Sequence, residues 1–268
     1  MKGESQERIP VVILCGGLGT RLREETEYRP KPMVEIGGRP ILWHIMRLYA
    51  HHGFKEFVLC LGYKGMAIKE YFLNYQPLVS DFTIRLGEAP SVSYLNGREA
   101  VDWSVTLVDT GLETMTGARV KRVQKYVDTD RFMLTYGDGL ANIDIHALLR
   151  THREHGKLVT VTGVRPPSRF GEMNVRRDGV VDTFDEKPQI SEGFVNGGFF
   201  VCERGFFDYL SEDESCVLEH EPLRRVAVDG QLSAYGHEGF WQCMDTYREW
   251  QMLNSMWESK EPPWKVWP

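Results

Sequence analysis

Val11-Val12-Ile13-Leu14-Cys15-Gly16-Gly17-Leu18-Gly19-Thr20-Arg21-Leu22, with Pro30-Lys31-Pro32-Met33 soon after it, is the stretch from which the rest of the chain is read. An apolar run breaks into glycines, then into a hydroxyl and a guanidinium, and a lysine follows. A buried strand that ends in a loop lying against a polyphosphate has this pattern. Glycines let backbone N–H groups approach phosphate oxygens without interference from a Cβ. Thr20 and Arg21 are expected to start the next element, where free amides and a helix dipole favour an anion. Two other phosphate loops are excluded. No lysine follows Gly19 at the spacing of a P-loop. The dinucleotide fingerprint fails because Leu22 stands at its third glycine, and the second strand, near Phe57 to Leu61, ends in Gly62-Tyr63 instead of an acid. An ordinary tight turn rarely carries Arg21 and Lys31 as well.

Working outward, apolar spacing alternates between strand and helix. Phe57 to Leu61, Val105 to Val108, Phe132 to Tyr136 and Leu158 to Val164 read as strands. Ile41 to Ala50, a segment through Ile68, Tyr71, Phe72 and Tyr75, one through Val120, Val123 and Val127, and one from Ile145 to His152 have helical spacing. Such alternation predicts an α/β fold with a mainly parallel sheet covered by helices. After Arg165-Pro166-Pro167 the texture changes. Met173 to Arg177 and Val180 to Asp185 flank Asp178-Gly179, a hairpin signal. Gly197 to Cys202 reads as strand, Phe206 to Leu210 and Pro222 to Val228 as short helices, and Tyr247 to Trp257 as a helix with an aromatic face. With no linker or repeat, a single domain over 1–268 is expected, with a β-rich second half.

The 268 residues carry 32 Lys and Arg against 38 Asp and Glu, a formal charge of −6, which by bulk charge argues against a nucleic-acid partner. No apolar run reaches the roughly 20 residues of a membrane helix, and Met1 to Pro10 has no signal-peptide core. The five cysteines show no paired spacing and read as reduced thiols of a cytoplasmic protein. His51-His52 and His152/His155 lack cysteine partners at zinc-finger spacing, so they read as surface or helix-packing residues.

Tyr136-Gly137-Asp138-Gly139 ends a strand, and ligands gather at the carboxyl ends of parallel strands, so Asp138 is expected on the rim that carries the Gly16–Arg21 loop. Its two flanking glycines suggest crowding by a ligand or metal. Asp245, in Gly239-Phe240-Trp241-Gln242-Cys243-Met244-Asp245-Thr246, is either a second carboxylate for the same cation or the N-cap of the last helix. Magnesium suits a pair of carboxylates completed by substrate phosphates. Glu186, Lys187 and Asn196 are candidates to meet sugar hydroxyls and a phosphate.

These residues together resemble the sugar-phosphate nucleotidyltransferases, whose signature Gly-Gly-x-Gly-Thr-Arg-Leu followed by Pro-Lys-Pro is here Gly16 to Leu22 and Pro30 to Pro32. The likeness runs from about Val11 to the C-terminus. Within the family, the strings Lys31 to Gly38, Trp103 to Gly111, Met115-Thr116-Gly117, Tyr136 to Gly139 and Asn196 to Phe200, with the tryptophan-rich tail, are most similar to members that take CTP and glucose 1-phosphate. Cys15, where alanine is common, Cys243 and the polar extension Met1 to Arg8 depart from the pattern.

The resemblance implies a Rossmann-like, mainly parallel but mixed sheet flanked by helices. It divides the domain into a nucleotide-binding half, about 11–165, and a sugar-phosphate-binding and assembly half, about 166–268. It implies cytidylyl transfer from CTP to glucose 1-phosphate with Mg2+ on Asp138 and Asp245, and Arg21 and Lys31 as the catalytic cations. Leu14, Gly16, Gly17, Gly19, Thr20, Thr116, Gly117, Arg119 and Gly137 would bind nucleotide. Gly171, Glu186, Lys187, Asn196 and Trp241 would bind the sugar phosphate. It also implies a homo-oligomer of up to six subunits; the tryptophan-rich tail must pack either on its own domain or at a subunit boundary, and the resemblance favours the boundary. The same reaction with UTP, dTTP, GTP or another sugar 1-phosphate is the alternative. A non-catalytic sensor on this fold would be expected to lose Arg21, Lys31 or an aspartate, and all are present.

Overall fold

The computed structural model describes residues 7–87, 90–95, 101–166, 172–185 and 193–268. Seven strands form the central sheet: β1 (Val11–Leu14), β2 (Glu56–Leu61), β3 (Ser104–Asp109), β4 (Arg131–Tyr136), β5 (Val159–Val164), β6 (Val195–Glu203) and β7 (Leu232–His237). Their spatial order is β3-β2-β1-β4-β6-β5-β7. β1 to β4 are mutually parallel, β6 is antiparallel to both β4 and β5, and β5 is parallel to β7. The sheet is therefore mixed and mainly parallel, and strands from both halves of the sequence share it.

Side chains alternate across the pleat into two cores. Val11, Ile13, Phe57, Leu59, Met133 and Phe199 face one side, under α1 (Ile41–His51), α2 (Gly65–Leu73), α4 (Ile145–His155) and α6 (Tyr247–Glu258). Val12, Leu14, Val58, Cys60, Phe132 and Phe200 face the other, under α3 (Thr116–Arg122) and α5 (Glu221–Val228). Burial on both faces explains why these strands read as continuous apolar runs. α4 starts at Asp144, whose carboxylate accepts from Ala147 N–H, and stops at Gly156, with φ of 58°. Its His152 is buried and bonds Thr160 and Glu203, a packing role.

Several expectations change in detail. The helix expected through Tyr75 breaks at Asn74, and a second short helix covers Tyr75–Val79. Val120, Val123 and Val127 share one buried face, but α3 ends at Arg122 and a 3₁₀ turn covers Gln124–Tyr126. The segment at Phe206 is 3₁₀, not α. The hairpin at Asp178-Gly179 forms, pairing Glu172–Val175 with Val181–Asp185. A second hairpin, Asp81–Arg85 with Ser91–Leu95, had no place in the sequence reading.

The tail docks on its own chain. Trp264 is 1% and Trp267 5% exposed, so of the two expected places, the chain's own domain or a subunit boundary, the domain itself covers both rings. Both gather around His44 of α1, with Trp257 of α6 at 4.8 Å between ring centroids. His44 binds the Ile36 carbonyl through Nε2 (2.9 Å), and its Nδ1 accepts from Trp264 Nε1–H (3.3 Å), which fixes one neutral tautomer. Burial pushes its pKa down to about 4, against the opposing pull of the Ile36 hydrogen bond.

Candidate active site

The strand order reverses direction between β1 and β4, and the crevice at their carboxyl ends is where an α/β sheet holds its ligand. The Gly137 amide bonds the Leu14 carbonyl (3.0 Å) across that crevice. A Cβ on Gly137 would stand 2.8 Å from that oxygen and 3.1 Å from Pro32 Cγ, so close backbone approach requires glycine there. Gly139 has open space, so only one of the two flanking glycines reflects crowding.

The glycine loop leaves β1 at Cys15, whose amide bonds the Cys60 carbonyl. Among the described residues, the amides of residues 16–21 donate to no acceptor. Gly19 has φ of 63°. Thr20 and Arg21 lie in a turn, and the helix that follows, Arg23–Thr26, is only four residues long. The expected helix dipole is therefore negligible, and the anion-binding capacity rests on the loop amides themselves.

Arg119, from α3, anchors this loop from below. Its Nη2 donates to the carbonyls of Gly16 (3.0 Å) and Leu112 (3.1 Å). Its Nη1 donates to Leu61 O, Thr110 Oγ1 and Gly111 O at 2.7–3.0 Å. Burial lowers its pKa from the ordinary arginine value, with Arg122 adding to the same effect. Any side chain at position 16 would collide with it, since a Cβ there lies 2.2 Å from Arg119 Nη1. The guanidinium lines the crevice, but it is spent on four backbone carbonyls and the Thr110 hydroxyl.

Lys31 opens the 3₁₀ turn Lys31–Met33 behind Pro30, placing its ammonium between two carboxylates. Nζ lies 2.6 Å from Asp138 Oδ2 and 2.5 Å from Asp245 Oδ1. Arg21 Nη2 reaches the same Asp245 oxygen at 3.0 Å, with its side chain 66% exposed at the mouth. Burial opposes charge on Lys31, but the two carboxylates prevail and raise its pKa. Burial also opposes charge on Asp245, yet Lys31 and Arg21 hold it below the usual carboxylate range.

Backbone pairing brings the aspartates together. Gly139–Ala141 pairs with Trp241–Cys243, and Met244 N–H bonds the Asp138 carbonyl (2.9 Å). The N-cap of α6 is Thr246, in a capping box with Glu249, so Asp245 is left free to face Lys31. Its alternative role as helix cap is thereby corrected. The two carboxylate oxygens already converge on one cation, the ammonium. They form a two-oxygen hard-donor set, and no cluster of three metal-binding side chains exists among the described residues. That set fits a cation which keeps water and phosphate ligands.

Two cavities meet at this cluster. One, about 300 Å³, is walled by the glycine loop, Lys31, Thr116, Arg119 and Tyr136. The other, about 220 Å³, is walled by Asn196, Gly197, Gly198, Trp241 and Cys243. Arg21, Tyr136, Asp138 and Asp245 line both. Leu14, Gly16, Gly17, Gly19, Thr20 and Gly137 fall on the first, and Asn196 and Trp241 on the second. Gly117 lies outside both walls. Its amide bonds the Cys216 carbonyl, and a Cβ would stand 2.7 Å from Cys216 Sγ. Gly171, Glu186 and Lys187 lie outside the described residues. Sequence reasoning missed Tyr136 as a shared wall, and Glu219, which bonds both Tyr136 and Thr116.

A family model described as nucleotidyl transferase matches residues 10–243. The chain belongs to the nucleotidyltransferase family. A glucose-1-phosphate cytidylyltransferase of Salmonella typhimurium is 50% identical over 257 residues, covering 96% of this nucleotidyltransferase and 98% of the relative. A probable glucose-1-phosphate cytidylyltransferase of Bacillus subtilis is 46% identical over 256 residues, covering 96% and 99%. Among solved structures, HddC from Yersinia pseudotuberculosis superposes with a TM-score of 0.69 at 22% identity, covering 93% and 99%. That last likeness concerns the fold alone. No helix among the described residues is long and apolar enough to cross a membrane. Nucleotidyltransferases of this family generally use a divalent metal.

Proposed function

We propose that this enzyme transfers a cytidylyl group from CTP to α-D-glucose 1-phosphate, releasing pyrophosphate and forming CDP-glucose. The observation that carries the reading is the meeting of two cavities at Asp138, Asp245 and Lys31, beside a loop of free amides. The relatives at 46–50% identity support the choice of substrates.

The nucleophile is a sugar-phosphate oxygen that is already anionic. It attacks the α-phosphorus, the bond from that phosphorus to the β-bridging oxygen breaks, and pyrophosphate leaves with the electron pair. No proton has to be removed, so positioning and charge neutralisation carry the catalysis. Arg21 and the amides of Gly16, Gly17, Gly19 and Thr20 hold the β- and γ-phosphates. Lys31 donates to the oxygens of the α-phosphoryl group as charge develops there. Leu14, Thr116 and Gly137 frame the nucleotide, Arg119 fixes the loop, and Gly117, outside both cavities, acts by seating α3 against Cys216. Asn196 and Trp241 hold the sugar, with Gly171, Glu186 and Lys187 completing the sugar-phosphate subsite. Asp138 and Asp245 would hold Mg2+, which when bound would supply Lewis-acid charge to the transfer. We place the enzyme in the cytoplasm as a homo-oligomer. Support for assembly comes from the exposed apolar face of Phe82, Ile84, Val92 and Tyr94 on the second hairpin.

Pyrophosphate release measured across four NTPs and a panel of sugar 1-phosphates tests the reading. CTP with glucose 1-phosphate is expected to be fastest. A clear preference for dTTP, UTP or GTP, or for another sugar, contradicts it.

A further inference from the structure

Glu219 takes no part in the chemistry above, yet its carboxylate ties the walls of the two cavities together. One oxygen accepts from Thr116 Oγ1 at 2.8 Å, and the other accepts from the Tyr136 hydroxyl. Thr116 opens α3 on the nucleotide side, and Tyr136 ends β4 as a wall of both cavities.

Asn196, Gly198 and Phe200 also meet the Tyr136 side chain, and Glu219 holds its hydroxyl from the nucleotide side. The Tyr136 hydroxyl accepts from Asn196 Nδ2 (3.2 Å), while Asn196 Oδ1 accepts from Gly198 N–H (2.8 Å). Gly198 has φ of 82°, and a Cβ there would stand 2.6 Å from Tyr136 Cδ2. Phe200 packs edge-on against the ring at 6.0 Å. The hydroxyl has one proton, which goes to Glu219, and it receives the Asn196 donor in return.

The segment carrying Glu219 is itself stitched to α3. Met115 N–H bonds Glu214 O (2.8 Å), Gly117 N–H bonds Cys216 O (2.9 Å), and Leu218 N–H bonds Thr116 Oγ1 (2.9 Å). Thr116 Oγ1 thus accepts from the backbone and donates to Glu219. The brace runs from the nucleotide wall, through Glu219 and Tyr136, to Asn196 on the sugar wall. Glu219 itself is exposed, so removing it leaves no buried unpaired charge.

We propose that Glu219 is a positioning residue for the transfer reaction: it locks Tyr136 as the partition between the nucleotide and sugar-phosphate cavities. The proposal rests on the assignment of those two cavities. A freed tyrosine ring swings into either cavity and misplaces the attacking phosphate, and attack geometry is sensitive to displacements of about an ångström.

The test compares Glu219→Ala, Glu219→Gln, Tyr136→Phe and the Glu219→Ala/Tyr136→Phe double variant with the unaltered enzyme, using CTP and glucose 1-phosphate. Glu219→Ala is expected to lower kcat/KM for glucose 1-phosphate about tenfold or more, with the thermal unfolding midpoint unchanged. Tyr136→Phe keeps the ring but cuts the same brace, so the double variant is expected to be no worse than either single one. Glu219→Gln retains one acceptor and is expected to fall between the unaltered enzyme and Glu219→Ala. The proposal is overturned if Glu219→Ala keeps the unaltered kcat/KM, or if the two single losses multiply in the double variant. If the unaltered enzyme itself fails to turn over this substrate pair, the substrate assignment has failed instead. The same variants are then compared on the pair it does use, and the same outcomes decide.

Discussion

Replacing His44 with glutamine is expected to flatten the acid dependence of stability. His44 is fully buried among Trp43, Trp257, Trp264 and Trp267, and both ring nitrogens are committed in the neutral form. Its folded pKa is about 4. The unfolded chain takes the ordinary histidine value of about 6.5. The pKa is depressed on folding, so between these values the unfolded state binds the extra proton and stability rises with pH. The contribution is complete above about pH 6.5, is lost as pH falls towards 4, and is constant below. At pH 5 the loss amounts to about 2 kcal/mol, out of a full span of about 3 kcal/mol. Urea unfolding at pH 7.5 and pH 5, followed by tryptophan fluorescence, measures it. The unaltered enzyme should lose about 2 kcal/mol more between the two pH values than His44→Gln does. Equal losses would show that His44 is not held neutral by the tail. The cage bears on function because α1 follows the turn that presents Lys31, and α6 follows Asp245.

Asp138→Asn should reduce kcat about 100-fold or more while leaving the thermal midpoint near its original value, since the side chain is part-exposed; a near-normal rate in Mg2+ would remove Asp138 from the site. Gly16→Ala should destabilise by about 1–3 kcal/mol and raise the KM for CTP, because the new Cβ meets a saturated, buried guanidinium; unchanged unfolding and kinetics would mean that Arg119 yields freely. Deleting residues 262–268 exposes the face that Trp264 and Trp267 cover and should cost roughly 3–6 kcal/mol, read by urea unfolding. Assembly mass by light scattering should be retained, and loss of assembly with undiminished stability would return the tail to a subunit boundary.

The sequence made the centre of the fold legible because β1, β2 and β4 are buried on both faces, and only apolar residues satisfy that constraint. The glycine loop was legible because Gly19 requires positive φ and Gly16 tolerates no Cβ. The pairing of Asp138 with Asp245 was visible only as a possibility. What makes it real is a short ladder, Gly139–Ala141 with Trp241–Cys243, too brief to leave a periodic signal. The family resemblance made Arg119 a nucleotide contact. Its five acceptors are four backbone carbonyls and one threonine hydroxyl, a capture that no residue spacing reveals. The hairpin Asp81–Arg85 with Ser91–Leu95 does alternate in sequence, but its apolar residues remain exposed, so no core face marks it. Glu219 is a lone acid in a loop, and only the approach of Thr116 and Tyr136 gives it a role.

In the proposed reaction the cytidylyl group passes directly between two substrates bound in one crevice, with Lys31 and the two aspartates at their junction. Isotope exchange between labelled pyrophosphate and CTP, with and without glucose 1-phosphate, tests that most directly. Without the sugar phosphate, direct transfer predicts no label in CTP. With it, label should enter CTP as CDP-glucose forms and reverses. Exchange with CTP alone would reveal a covalent cytidylyl-enzyme and contradict the account.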